Sequence, residues 1–336
     1  MNDLYNLELP KVVEEVKRRG SRRVLLQLPD GMRPFAFQLV KAIREGTGAE
    51  VFLSGDSCYG ACDVASRQAI ELNADLLVHY GHSPMVEDGD VPVLYIHAEV
   101  DIDVKRLVED CLPYFGPWKR IGVVTTIQHV HQLAEVASEM ARRGLHAVMG
   151  EGDAKTPFRG QVLGCHYGTA LRVAEDVDAF LYIGGGQFHP VGLVLSTGKP
   201  VVVANPYDGS VAVRHLDEFM GLAKKRYAGI AVTQGADKLG ILVSSKPGQV
   251  ALDIAQELER RFRERGVEAA VIYMDEVRPE HLNNYVEPQA FIVTACPRVA
   301  MDGLPGVDRP MLTVREAYVA LGDLKWEDVW GRGIVG

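Results

Sequence analysis

Five cysteines stand in this chain of 336 residues: Cys58, Cys62, Cys111, Cys165 and Cys296. An odd number of thiols does not make a closed disulfide framework, and no leader that would carry the chain to an oxidising compartment is evident at Met1-Asn2-Asp3-Leu4. Thiolates are soft ligands, which select zinc, cuprous copper or iron–sulfur clusters. Three of them each follow a short apolar run. Cys62 stands in Gly60-Ala61-Cys62-Asp63, Cys165 in Gly164-Cys165-His166, and Cys296 in Thr294-Ala295-Cys296-Pro297-Arg298. The gaps between them, 103 and 131 residues, are far longer than the Cys-x2–4-Cys spacing of structural zinc. A cubane cluster normally takes four cysteines, so three would leave one iron open to a substrate. That is ligation for chemistry rather than for scaffolding.

The other two read differently. Cys58-Tyr59-Gly60-Ala61-Cys62 has the first spacing of a Cys-x3-Cys-x2-Cys motif, but Ala65 occupies the place of its third cysteine. Cys58 is then either a spare loop thiol or a rival ligand to Cys62. Cys111, within the helix-like Val108–Leu112, reads as packing.

The elements that must position the three thiols repeat. Val24–Leu28, Val51–Leu53, Leu76–Val78 and Val93–Ile96 are short apolar runs with helix-length segments between them. The order returns at Ile121–Val124, His146–Val148, Phe180–Ile183 and Val201–Val203, then at Ile241–Val243, Ala270–Tyr273, Phe291–Val293 and Met311–Thr313. Such runs read as strands buried on both faces, as in parallel sheets. Helices are expected from Pro34 to Glu45, ended by Gly46, and along Leu133, Val136, Ala137 and Met140, closed by Gly144. A third carries Ile254, Leu258 and Phe262 and stops at Gly266. Pro92, Pro200 and Pro310 precede the fourth strand of each set, 108 and 110 residues apart. The expected architecture is α/β: three homologous domains around a pseudo-threefold axis, each a four-stranded, mainly parallel sheet flanked by helices. Their expected bounds are 1–105, 106–210 and 211–336. Ligands of parallel α/β units bind at the carboxyl ends of the strands, which is where Cys62, Cys165 and Cys296 fall, one per domain.

Composition narrows the function class. Lys and Arg number 36 against 45 Asp and Glu, a net charge of −9, which argues against a broad nucleic-acid face. No apolar run approaches the ~18 residues of a membrane span. A cytoplasmic protein is expected.

The cysteine segments resemble the three cysteine motifs of the diphthamide synthase family. Further matches are Gly81-His82-Ser83, Thr125-Thr126-Ile127-Gln128-His129-Val130-His131 and Phe188-His189-Pro190, so the likeness runs from Leu25 to about Thr313. Cys58 stands outside that pattern, and Cys62 occupies the matching place. The resemblance implies a [4Fe–4S] cluster on Cys62, Cys165 and Cys296 with S-adenosylmethionine at the open iron. It further implies a radical-SAM enzyme of an unusual kind. The 3-amino-3-carboxypropyl group would pass to the imidazole C2 of a histidine on translation elongation factor 2, leaving methylthioadenosine, in the first step of diphthamide biosynthesis. The archaeal members it resembles act as homodimers, and the chemistry needs an electron donor. The rival readings are a quinolinate-synthase-like cluster enzyme acting on small molecules, and a non-catalytic SAM- or metal-binding module.

Candidates for contact with S-adenosylmethionine follow from strand ends. Gln27, Asp30 and Gly31 lie in a strand-to-helix turn whose amides could hold a carboxylate, although Gly31 could simply serve a left-handed turn. Gly81 and His82 follow the third strand, and Gln128 and His129 the first strand of the second domain. Gly185 and Gly186 sit in a glycine run without dinucleotide-fingerprint spacing. His79 and His189 are also near strand ends, where a hydrogen-bonded structural role is the plainer reading. Lys224-Lys225-Arg226 reads as a solvated helix face that could also meet the protein substrate.

Overall fold

The structure, a computed structural model, describes residues 5–334 apart from Asp88. The strands are β1 (Arg23–Gln27), β2 (Glu50–Leu53), β3 (Leu76–Tyr80), β4 (Val93–Ile96), β5 (Arg120–Thr125), β6 (His146–Val148) and β7 (Ala179–Ile183). They continue with β8 (Val201–Ala204), β9 (Val211–Arg214), β10 (Lys238–Ser244), β11 (Glu268–Met274), β12 (Ala290–Val293) and β13 (Met311–Thr313). Every apolar run expected to be a strand is one. They form three sheets ordered β2-β1-β3-β4, β6-β5-β7-β8-β9 and β11-β10-β12-β13, parallel throughout except for β9.

One permutation thus occurs three times. In each sheet the chain steps from the first strand to one side, then returns to the other. The crevice between the first and third strands, β1/β3, β5/β7 and β10/β12, is the switch point at which parallel α/β sheets bind ligands. The central strands are buried along their length, β3 and β7 completely, which explains their unbroken apolar character. β9 was not expected. It is half-buried and pairs antiparallel with β8, so the middle sheet has five strands and runs past residue 210.

Helix ends depart from expectation in detail. The helix expected from Pro34 begins as a 3-10 turn at Asp30–Phe35 and continues as α-helix over Ala36–Thr47. It passes through Gly46, which packs against Val13 of the helix Leu9–Arg19, and ends at Gly48 with φ 74°. Gly31 lies inside the 3-10 turn without a left-handed φ, so the left-handed turn is not its reason. Ile254 is exposed, and Ala255 joins Leu258 and Phe262 on the buried face of Leu252–Glu264. Cys111 is fully buried in the helix Val104–Phe115. Arg226 is not solvated: it is buried against Glu316 and donates to the Ala300 and Met311 carbonyls. Lys224 and Lys225 are exposed. No helix among the described residues is long and apolar enough to cross a membrane.

The cores differ in how they are shared. The second and third sheets have a common apolar cluster that runs from Val124 and Phe180 through Ile230 to Leu312, Val329 and Ile334. The clusters around β1–β4 hold only residues between Tyr5 and Ala98, from the first sheet and its own helices and loops.

At the second aligned pair of the first and third strands, two sheets place glycine beside an aromatic ring: Gly122 beside Phe180, and Gly240 beside Phe291. The first sheet places Leu25 beside Leu77. A Cβ on Gly240 would lie 2.6 Å from the Phe291 ring. Gly240→Leu should therefore destabilise by overpacking, by about 1–3 kcal/mol. Its urea midpoint should fall below wild type and recover in part when Phe291→Leu is added.

Candidate active site

The carboxyl ends of the three sheets open onto one cavity of about 900 Å³. That is the upper part of the range for small-molecule sites, ~300–1,000 Å³. Cys62, Cys165 and Cys296 all lie on its wall, each half-buried. Their loops differ. Cys62 follows β2 and Cys165 follows β6, whereas Cys296 follows β12. The loop of the third sheet that corresponds to the first two follows β11 and brings Asp275–Arg278 to the wall instead.

Each thiol is held by local backbone. Cys296 caps the short helix Pro297–Asp302, and its sulfur faces the backbone N–H groups of Arg298 and Val299. Cys165 rides a tight hairpin in which Leu163 and His166 exchange backbone hydrogen bonds of 2.9 and 3.1 Å. Gly164 must be glycine there, because a Cβ would fall 1.6 Å from the Phe188 ring. The Cys62 loop is gripped from another sheet. Gly248 N–H donates to the Cys62 carbonyl at 2.9 Å, and the Gln249 amide lies 3.3 Å from the Cys62 sulfur. A Cβ on Gly248 would lie 2.5 Å from the Cys62 Cα. Burial pushes all three thiols up, Cys165 to about 12, and each of Cys62 and Cys165 feels the charge of Cys296. Three half-buried thiols near enough to feel one another's charge are stable as thiolates only with a cation among them, a donor set that suits an iron–sulfur cluster with one iron left open.

Polar links hold the first sheet against the others. Lys246 donates to Asp63 at 2.7 Å, both side chains being buried. Burial opposes the ammonium charge, but the bond to Asp63 together with the charges of Asp63, Asp275 and Glu276 outweighs it and raises the Lys246 pKa. Gln128 donates to the Gly81 carbonyl at 2.8 Å, and Gln161 to the Ser83 hydroxyl at 2.7 Å.

The expected contact residues divide. Gly31, Gly81, His82, Gln128 and Gly185 line the cavity with the three cysteines. Gln27, Asp30, His129 and Gly186 do not. Gln27 is buried behind the wall, with its amide committed to the Asp63 carbonyl and the Ala65 N–H. Asp30 is exposed and pairs with Arg33. His129 donates from Nδ1 to the Val100 carbonyl and accepts the hydroxyl of Tyr207, so it positions Tyr207, which does line the cavity. Gly186 takes a left-handed φ of 73° just beyond. His189 lines the wall, stacked on Tyr182, and is pushed down to about 4 by burial and by the Arg298 charge. Cys58 is buried behind the wall, and its thiol is pushed up to about 12 by burial.

Lys246, Gly248, Gln249, Gln161 and Arg298 were not anticipated. Arg298 is buried, with its guanidinium 3.9 Å above the Phe188 ring and bonded to Asp302. The repeat held the signal for the first three: Ser245–Gln249 follow β10 as Pro29–Gly31 follow β1 and Thr126–Gln128 follow β5.

Lys246→Met should leave Asp63 as an unpaired buried charge, at a cost of about 3–5 kcal/mol. Denaturant unfolding should show that loss, and adding Asp63→Asn should restore part of it.

The family model for diphthamide synthesis proteins matches residues 28–331. The chain is 37% identical over 321 residues to the 2-(3-amino-3-carboxypropyl)histidine synthase of Pyrococcus horikoshii, covering 94% of this chain and 91% of that one. Subunit 1 of the corresponding synthase of Homo sapiens is 32% identical over 328 residues, with 96% and 73% covered. Among solved structures, Dph2 from Pyrococcus horikoshii with a 4Fe-4S cluster superposes with a TM-score of 0.87 at 34% identity. That match covers 98% of this chain and 95% of the other.

Proposed function

Because the chain belongs to the diphthamide synthesis protein family, we propose that it is a 2-(3-amino-3-carboxypropyl)histidine synthase. It would move the 3-amino-3-carboxypropyl group of S-adenosylmethionine to the imidazole C2 of a histidine on translation elongation factor 2. The observation that carries this reading is the convergence of three thiols, one from each sheet, on the wall of one large cavity. Cys62, Cys165 and Cys296 would hold a [4Fe–4S] cluster. When bound, it supplies an iron open to substrate and an electron for cleaving a sulfonium carbon–sulfur bond.

The chain's own groups then have to bind and orient the substrate. Which carbon–sulfur bond breaks depends on how the sulfonium is presented, so the groups that fix orientation matter as much as the thiols. Around the wall stand groups of both signs, Lys246, Arg278 and Arg298 with Asp275, Glu276 and Asp302. These suit the carboxylate and ammonium of a methionine moiety. Pro29, Met32, Phe188 and Tyr207 offer apolar and aromatic surface to the remainder. A homodimer, an external electron donor and a cytoplasmic setting complete the reading. Its three units are residues 1–105, 106–210 and 211–336, and the pairing of β9 with β8 argues for moving the second bound from 210 to beyond Arg214.

After anaerobic reconstitution with iron and sulfide, dithionite and S-adenosylmethionine should yield methylthioadenosine, and elongation factor 2 should gain one 3-amino-3-carboxypropyl group. An intact cluster with no methylthioadenosine would favour a small-molecule dehydratase of the quinolinate synthase kind. Cys62→Ala, Cys165→Ala and Cys296→Ala should each lose the visible iron–sulfur absorbance, while Cys58→Ala should keep it.

A further inference from the structure

Three polar side chains at the ends of β1 and β3 form a hydrogen-bonded chain whose proton positions are set from its far end. Gln27 donates through Nε2 to the Asp63 carbonyl at 2.6 Å, and its Oε1 accepts the Ala65 N–H at 3.0 Å. Both partners are backbone groups of fixed polarity. The amide orientation is therefore determined, and Oε1 can only accept from His79 Nδ1, 2.8 Å away. His79 must carry its proton on Nδ1. It is fully buried, and burial holds its pKa well below the usual range, so the ring is neutral and its Nε2 has a free lone pair. That nitrogen lies 2.9 Å from His82 Nδ1, which must then be the donor. His82 is also neutral, pushed down to about 4 by burial against a smaller opposing pull from the Tyr80 carbonyl. With its proton on Nδ1, its Nε2 is bare. Of the three side chains, only His82 lines the cavity.

Other imidazoles nearby do not share this property. Both nitrogens of His129 are engaged. His189, pushed down to about 4 by burial and by Arg298 much as His82 is by burial, has no hydrogen bond among the described residues to fix which ring nitrogen carries its proton. The Cys58 sulfur joins His79 and His82 within 4.8 Å, but His79 Nε2 and His82 Nδ1 are already bonded to each other, so this is a saturated chain rather than a set of free ligands.

We propose that His82 is the proton acceptor of the transfer: its bare Nε2 takes the C2 proton of the acceptor imidazole. This rests on the reaction proposed above. In that reaction one carbon–sulfur bond breaks, one carbon–carbon bond forms at C2 in place of carbon–hydrogen, and one proton is released with no net consumption of electrons. A weak base suffices, because losing that proton, together with handing back the one electron lent to break the carbon–sulfur bond, restores an aromatic ring, and a weak base returns the proton to water readily. Gln27 and His79 are positioning residues. They fix the tautomer of His82, much as a carbonyl or carboxylate fixes a catalytic histidine.

The tautomer can be read directly. In the full-length chain labelled with 15N-histidine, the His82 Nε2 resonance, identified by its loss in His82→Gln, should appear at the unprotonated imidazole position. A protonated Nε2 overturns the proposal. His79→Leu removes the acceptor for His82 Nδ1 and should let the proton move to Nε2. In the reconstituted enzyme, His82→Gln and His82→Ala should still form methylthioadenosine while modification of elongation factor 2 falls by about 100-fold or more. Transfer that keeps pace with cleavage in these variants overturns the proposal, as does joint loss of both products. Wild-type enzyme with an assembled cluster that forms no methylthioadenosine overturns the reading of the reaction, and this proposal with it.

Discussion

Lys246 reaches from the end of β10 to Asp63, the residue beside Cys62, and the two charges meet where both side chains are buried. Around that bond, Gly248 and Gln249 hold the Cys62 backbone and sulfur. The cavity depends on this grip. The second and third sheets are fused by one apolar cluster, which fixes Cys165 and Cys296 relative to each other, joined at the site by the Arg298 guanidinium over the Phe188 ring. The first sheet has its own closed core and meets the others through directional bonds: Lys246 to Asp63, Gln128 to Gly81, Gln161 to Ser83. Burying an ion pair is expensive, and a buried pair is weak evidence for stability alone. Here it has geometric value, since a hydrogen bond of fixed length and angle sets an orientation that nondirectional apolar contact would leave loose.

Burial also sets the electrostatics of the wall. Thiols and imidazoles removed from water favour their neutral forms, so Cys165 is pushed up while His82 and His189 are pushed down. Fixed charge is left to Lys246, Arg298 with Asp302, and the Asp275–Arg278 loop. A site that recognises a zwitterion and also handles a proton needs both kinds of group, kept apart.

Much of the fold was legible in the sequence, because strands buried on both faces announce themselves as unbroken apolar runs. β9 was not. Val211-Ala212-Val213-Arg214 is short and half-buried at a sheet edge, and nothing in its pattern separates it from a loop. Gly46 misled for a different reason: it is in the helix because Val13 lies against it, a tertiary fact no local pattern carries. At the site, residue type and strand-end position were enough to put the three cysteines, His82 and Gln128 on the cavity wall. They could not separate the wall from the layer behind it. Gln27 and His129 stand at strand ends too, but their side chains are consumed by Asp63, Ala65, Val100 and Tyr207. Lys246 and Gln249 were missed because lysine and glutamine in a loop look solvated until another sheet closes over them.

The third cysteine comes from a different loop than the first two. Three identical copies of one unit would have produced three equivalent thiols and a pocket that looked the same after each rotation by a third of a turn. Such a pocket could admit a ligand in three indistinguishable poses. By taking Cys296 from after β12 and leaving the loop after β11 to present Asp275–Arg278, the molecule breaks that equivalence. The thiols can still surround a compact inorganic centre, which is itself highly symmetric. The organic ligand beside it meets a wall with an unambiguous left and right, so a single pose can be singled out.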